Sequence, residues 1–221
     1  MATEGRREAI LEAAAAVIVE RGFCDTRVGD VARRAGASPS LVLYYFGTRD
    51  RILSETLAFI EDRFYSSLEA ELAAIPSARQ RLLHLLEQSV TGVDVLARTE
   101  VDEWVLWLDL WARALHEPEV ARYREALEAR WRGTIEAVIR QGRDSGEFSM
   151  GDPSEVALLL AVLVEGLAVQ LVLHDPAVDR RRMMRMLTRV AALELGFLVP
   201  RRIRTASRGQ DRRTPARPRS R

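Results

Sequence analysis

Lysine is absent from this chain, and all 33 of its basic side chains are arginine. That bias reads as genome composition, not as a functional choice. Cysteine is nearly absent. The single Cys24 excludes a disulfide framework and any cysteine-based zinc site, and it fits a small core residue better than a redox group. Strand signal is missing, since Val, Ile and Thr do not alternate with polar residues in short isolated runs, and this excludes a sheet-based fold. The opening MATEGRREAI lacks the apolar stretch of a secretion signal, so the expected location is cytoplasmic. Catalytic patterns are missing too. There is no HExxH, no GxSxG, no phosphate loop and no paired metal-ligand spacing. His84, His116 and His174 fall in three separate predicted helices. The chain is not expected to be an enzyme, and no metal or cofactor is implied.

What is present is helix. Of the 221 residues, 48% are hydrophobic, enough for one or two compact domains with a real core. Nearly every segment carries Ala, Leu, Arg and Glu at a 3.6-residue period, so the fold class is all-α. The most informative segment is VGDVARRAGASPSLVLYYF, residues 28–46. Thr26 is placed to cap a first short helix, in which Val28, Val31, Ala32 and Ala35 make one apolar face. Gly36 suits a left-handed helix end. Ser38 then caps a second helix with Pro39 at its first position, where a missing N–H costs nothing. Leu41, Val42, Tyr44, Tyr45 and Phe46 follow, and Gly47–Thr48 ends that helix and caps the next. Two helices joined by a short glycine-containing turn form a helix-turn-helix unit. An ordinary helical hairpin inside an all-α core is the plainer reading of the same residues.

The flanks favour the first reading. Ahead of the unit, Ile10, Ala13, Ala14, Val17 and Ile18 share one face of a helix that Gly22 stops, and Phe23 is placed to plug a three-helix core. The pieces Arg7–Ile10–Ala13–Ala14, Arg21–Gly22–Phe23, Thr26, Val31–Ala32, Ala35–Gly36, Ser38, Tyr45–Phe46 and Arg49–Asp50–Ile52–Leu53 together resemble the TetR family of transcriptional regulators. The resemblance covers about the first 55 residues. It implies a DNA-binding head, a helical ligand-binding and dimerisation body, and a regulator, most often a repressor, that a small molecule releases from a roughly palindromic operator. Carried onto this sequence, the implied DNA-contacting residues are Thr26, Arg27, Ser38, Pro39, Ser40, Leu43, Tyr44, Tyr45 and Arg49. Three departures stand out. Leu43 replaces a usual tyrosine, which removes a phosphate contact. Arg49 replaces lysine, which keeps the charge but changes its geometry. Pro39–Ser40 replaces a polar residue and glycine, so no operator sequence carries over.

The net charge of +1 conceals a division. Residues 1–51 hold 8 arginines against 7 acids, residues 52–199 hold 16 against 24, and residues 200–221 hold 9 against 1. The expected domains follow the same boundaries: 1–51 as the head, 52–199 as the body, and 200–221 as a disordered arginine-rich tail. In the head only the docking face needs positive charge, and Arg27, Arg33, Arg34, Arg49 and Arg51 are its candidates. The tail either adds attraction to DNA phosphates or only solubilises the chain.

The body parses into helices from Arg51 to about Ala74, Ala78 to about Ala97, Thr99 to about His116, Pro118 to near Gly146, Asp152 to about His174, and Asp179 to Leu198. Thr99 with Asp102 reads as a capping box. Trp104, Trp107, Leu108, Trp111 and Leu115 fall on one face of the third of these, with Glu100 at its edge. That stretch, and the later Glu165–Gly166–Leu167 step, resemble the branch of the family with a BetI-type C-terminal domain. Three tryptophans with acids nearby suit a cationic effector, because aromatic faces attract ammonium groups and a carboxylate supplies the countercharge. Core packing is the competing reading. The implied ligand-binding residues are Glu100, Trp104, Trp107, Trp111 and Glu165. Glu165, in an otherwise apolar helix, needs a partner such as Arg130 or Arg132, or a ligand. From Val156 to Leu173 only Glu165 and Gln170 are polar, so this helix must be buried on all sides. Its mid-helix acid and soluble neighbours argue against a membrane span. The last two helices together carry more apolar surface than one chain covers, which points to a homodimer. A helical small-molecule carrier, or a dimeric scaffold that never touches DNA, remains the alternative.

Overall fold

The computed structural model describes residues 2–91 and 103–198, apart from the side chains of residues 2, 3, 23, 24, 91, 103 and 106. Glu100, the Thr99–Asp102 capping box, the tail 200–221 and the side-chain roles given to Phe23 and Cys24 lie outside the described residues. Nine helices and no strand occur among the described residues: α1 Ala2–Asp25, α2 Val28–Arg34, α3 Pro39–Phe46, α4 Arg49–Ala74, α5 Ala78–Thr91, α6 Glu103–Ala114, α7 Pro118–Asp144, α8 Pro153–Val172 and α9 Arg180–Leu195.

The punctuation follows side-chain chemistry. Ser38 Oγ accepts from the Leu41 N–H at 3.2 Å, and Thr48 Oγ1 from the Arg51 N–H at 3.2 Å. Asp152 accepts from the Ser154 and Glu155 N–H groups, and Asp179 from Arg182 N–H. Each satisfies a first-turn donor that has no partner within its helix. Gly22, at φ 78° and ψ 168°, breaks α1 before its last three residues, and Gly36, at φ 57°, makes the left-handed step between α2 and α3. A side chain is strained at either angle. Thr26 is a correction. Arg27, not Thr26, is the residue before α2, with no side-chain cap. The Thr26 hydroxyl instead donates to the Gly22 carbonyl at 2.7 Å, inside the structure.

Helices α1 to α3 close over Ile10, Leu11, Ala14, Val17, Val31, Ala32, Val42 and Phe46, with Ile52 of α4 completing that core. Helix α4 runs through the expected 51/52 boundary without a break, so head and body share one rigid rod. Beyond it, α5, α7, α8 and α9 bury Leu82, Leu85, Leu86, Ile135, Ile139, Leu160, Val164, Met183, Leu187 and Leu195. Helix α6 lies against α1, α7 and α8 and bridges head and body. Leu115, expected on the apolar face of α6, lies past its end and is 80% exposed; Leu110 fills the inward position instead. Helix α8 is not buried on all sides within one chain. Leu158, Leu159 and Val162 face outward, as do Met186 and Leu193 of α9.

Candidate DNA-binding and effector sites

Helix α3 is held from one side only. Val42 and Phe46 are fully buried, and Tyr45 is half-buried against the head core. Pro39, Ser40 and Leu43 face solvent, and Tyr44 is 80% exposed. Ser38 and Ser40 hydroxyls lie 2.9 Å apart at the exposed start of the helix. The two tyrosine rings meet edge to face at 5.6 Å, which fixes the direction of Tyr44. A row of exposed polar and aromatic groups is thus presented on a helix whose back is locked into a core.

The arginines divide. Arg27 is exposed at the start of α2. Arg33 pairs with Asp30, Arg34 with Glu20 and Arg51 with Glu55, so these three spend part of their charge within the head. Arg49 Nε donates to the Thr26 carbonyl at 2.7 Å and Nη1 to Asp50 at 3.2 Å. The planar guanidinium fork reaches both at once, which an ammonium group does not do in that geometry. Thr26, buried at 1% exposure, therefore offers the surface no hydroxyl and serves as the anchor for Arg49. Two further contacts escaped sequence reasoning. Arg6 Nη2 donates to the Gly36 carbonyl at 2.7 Å and pins the turn from α1. Arg7 lies over the Phe46 ring and pairs with Glu55, tying α1 to α4. Both partners are distant in sequence, and no local pattern announces them.

The tryptophans of α6 are brought together. Trp111 stands between Trp104 and Trp107, with ring centroids 6.4 Å from each. Trp104 packs on the body core and donates Nε1–H to the Ser89 carbonyl at 3.1 Å. Trp107 joins Leu110, Val120, Leu127, Leu57 and Tyr123 in a cluster between α4, α6 and α7. Trp111 Nε1 and the Tyr123 hydroxyl are buried without a hydrogen-bond partner among the described residues. Burial, then the charges of Glu61 and Asp62, push the Tyr123 hydroxyl well above its ordinary range, so it stays protonated.

The acid foremost in acting on Tyr123 is one the sequence did not single out. Glu61 of α4 has 17% of its side chain exposed, and burial raises its carboxyl above the usual range. Arg130 of α7 reaches Asp62 at 3.1 Å and Glu61 at 3.5 Å, and its guanidinium stacks 3.9 Å over Tyr65. Arg130 is therefore not the partner of Glu165. Glu165 makes no hydrogen bond or ion pair with any described residue; burial and then Glu128 raise its carboxyl, while Arg124 and Arg132 pull it down.

Helix α6 also touches the head. Arg113 grips Glu117 through two bonds of 3.0 and 2.8 Å, and its Nη2 lies 3.8 Å from Asp50. Asp50 in turn holds Arg49. A chain of charges thus runs from the tryptophan helix to the end of the helix-turn-helix unit. Among the described residues no His, Cys, Asp and Glu group is arranged to hold a metal.

Comparison with known proteins agrees with this layout. Residues 10–56 match the model of bacterial regulatory proteins of the tetR family, and residues 78–196 match that of the BetI-type transcriptional repressor C-terminal domain. The HTH-type transcriptional regulator BetI of Escherichia coli K12 is 27% identical over 181 residues, 80% of this chain and 87% of that one. A putative transcriptional regulator from Saccharomonospora viridis, solved in complex with choline, is 30% identical, with a TM-score of 0.74 over 85% of this chain and 96% of its own. A putative TetR-family regulator from a Rhodococcus species is 31% identical, with a TM-score of 0.71 over 86% and 98%. With an exposed helix-turn-helix head and a BetI-type body spanning more than half its length, the chain belongs to the TetR family of transcriptional regulators.

Proposed function

We propose that this regulator is a homodimeric repressor that leaves a roughly palindromic operator when a small organic cation binds its body. The observation that carries the reading is α3, anchored by Val42 and Phe46 while Pro39, Ser40, Leu43 and Tyr44 face outward. Ser38, Ser40 and Tyr44 reach base edges or adjacent phosphates, and Arg27, Tyr45 and Arg49 fix the head on the backbone. The division into a head of residues 1–51, a body of 52–199 and a basic tail of 200–221 is part of the same proposal. A DNA-bound regulator works where the chromosome lies, in the cytoplasm.

Dimerisation is supported by the open apolar faces of α8 and α9. Leu158, Leu159, Val162 and Leu193 are each more than 40% exposed in one chain, and two such pairs of helices bury one another as a four-helix interface. The twofold axis sets the two copies of α3 into successive major grooves about 34–36 Å apart. The cationic effector is supported by the Trp104–Trp111–Trp107 cluster, by Tyr123, which shares a cluster with Trp107 and feels the charge of Glu61, and by choline in the Saccharomonospora relative. A ligand that fits better when α6 shifts changes the head spacing through Arg113, Asp50 and Arg49.

The test is a gel shift of the full chain on its own upstream DNA, with choline, betaine and spermidine added in turn. A salt-sensitive, competitor-resistant band that one of the cations weakens is the expected result. No such band, with a cation still raising the melting temperature, assigns the protein to the carrier class instead.

A further inference from the structure

The segment SPSLVLYYF, residues 38–46, contains no arginine, lysine, histidine, asparagine, glutamine or acid. Arginine, lysine, asparagine and glutamine are the side chains that pair with purine edges through two hydrogen bonds at once. What α3 and its cap turn outward instead is two serine hydroxyls, one tyrosine and two apolar groups. At about 100° per residue, Pro39 and Leu43 fall about 40° apart around the helix, Ser40 about 60° beyond Leu43, and Tyr44 about 40° beyond Ser40. Pro39 and Leu43 thus form an apolar strip along one edge of the exposed face, with Ser40 between that strip and Tyr44. Val42 and Phe46 fill the head core, while Leu43 is 40% exposed. The hydroxyls discriminate little. Ser38 Oγ accepts the Leu41 N–H, and the Ser38 and Ser40 oxygens lie 2.9 Å apart in a bond that either can donate. Ser40 can therefore offer a base edge a donor or an acceptor. The strip is more selective, because the apolar group that a base presents in the major groove is the C5-methyl of thymine.

We infer that Pro39 and Leu43 read thymine methyl groups, so that each half of the operator carries thymine where this strip lies. The inference rests on α3 entering the major groove, as proposed above, and names what it reads there. A methyl packed on Leu43 takes apolar surface of both partners out of water. A G·C pair at the same place sets polar edge groups against the strip and leaves them without a partner. Discrimination by α3 then comes from methyl contact and from the rejection of G·C, with Ser40 and Tyr44 adding hydrogen bonds that suit several sequences.

The test uses the protein's own upstream DNA, prepared once with thymine and once with uracil throughout, and fluorescence anisotropy of the full chain on each. Uracil keeps every base-edge hydrogen bond of thymine and lacks only the methyl. The parent should bind the thymine fragment about tenfold more tightly, from at least one methyl covered by each of two heads. Leu43→Ala should cut that preference to about threefold or less, through weaker binding of the thymine fragment alone. Leu43→Met, which keeps an apolar side chain of similar volume, should retain it. Equal affinity of the parent for the two fragments overturns the methyl reading while DNA binding by the head stands. A preference that Leu43→Ala leaves unchanged, or that Leu43→Met loses, overturns it in the same way. No competitor-resistant binding to either fragment overturns both readings.

Discussion

At the scale of single residues, exposure separates recognition from support. Tyr44 is 80% exposed, and its ring meets the edge of Tyr45. Tyr44→Ala should weaken operator binding about tenfold and shift the melting temperature by less than about 1 °C, read by fluorescence anisotropy and thermal denaturation. Arg49 differs, because it also holds the Thr26 carbonyl and Asp50. Arg49→Ala should lose DNA affinity and also about 1 kcal/mol of stability, a fall of roughly 2–4 °C. Glu147 gives a pH signature. It accepts the Ser77 hydroxyl and the N–H groups of Ala78 and Arg79, and the Ser77 bond foremost holds its carboxyl below the ordinary value. A depressed folded value means that its stabilisation is present above the unfolded glutamate range of about 4.3 and is lost as pH falls through the lower folded value. Glu147→Gln should therefore cost about 1 kcal/mol at neutral pH and flatten the acid limb of the melting curve.

At the scale of elements, α4 and α6 matter most, because each belongs to both halves. Helix α4 carries Ile52 into the head core and Glu61 to the vicinity of Tyr123 and Arg130 without a break. Helix α6 carries the three tryptophans and, two residues past the last of them, Arg113, which is 14% exposed and reaches Asp50. Displacing α6 moves an ion pair that ends on Arg49. Arg113→Ala should leave the separate affinities for DNA and for choline within about threefold of the parent. The factor by which choline weakens DNA binding should fall about tenfold, about 1.4 kcal/mol of coupling, measured by anisotropy with and without choline. Capping and patterning announced several of these helices, since Ser38 and Thr48 cap α3 and α4 as their neighbours in sequence suggest and Asp152 and Asp179 stand at the starts read for α8 and α9. Thr26 misled, because its hydroxyl turns back to Gly22 once the glycine kink places that carbonyl 2.7 Å away.

At the scale of the whole molecule, the proposed dimer rests on the open faces of α8 and α9, and its twofold axis would set how DNA is read. Val162 is 55% exposed at the middle of α8. Val162→Glu should turn the dimer into a monomer in sedimentation, because an unpaired carboxylate in an apolar interface costs about 3 kcal/mol or more. Operator affinity should fall with it, by roughly 100-fold, since one head alone loses the second groove.

The amino-acid sequence by itself determined the helix class, most of the helix ends, the helix-turn-helix head and the apolar excess of the last two helices. Those are properties of periodicity, caps and glycine placement, which act over a few residues. Tertiary structure alone decided which acids stand near Tyr123, that Arg130 turns to Glu61 and Asp62 and not to Glu165, and that Arg113 joins the tryptophan-bearing helix to the head. Such pairings link residues more than 60 positions apart and set one helix against another. Their energy depends on distance in space and on exclusion of water, and neither is written in the order of the residues.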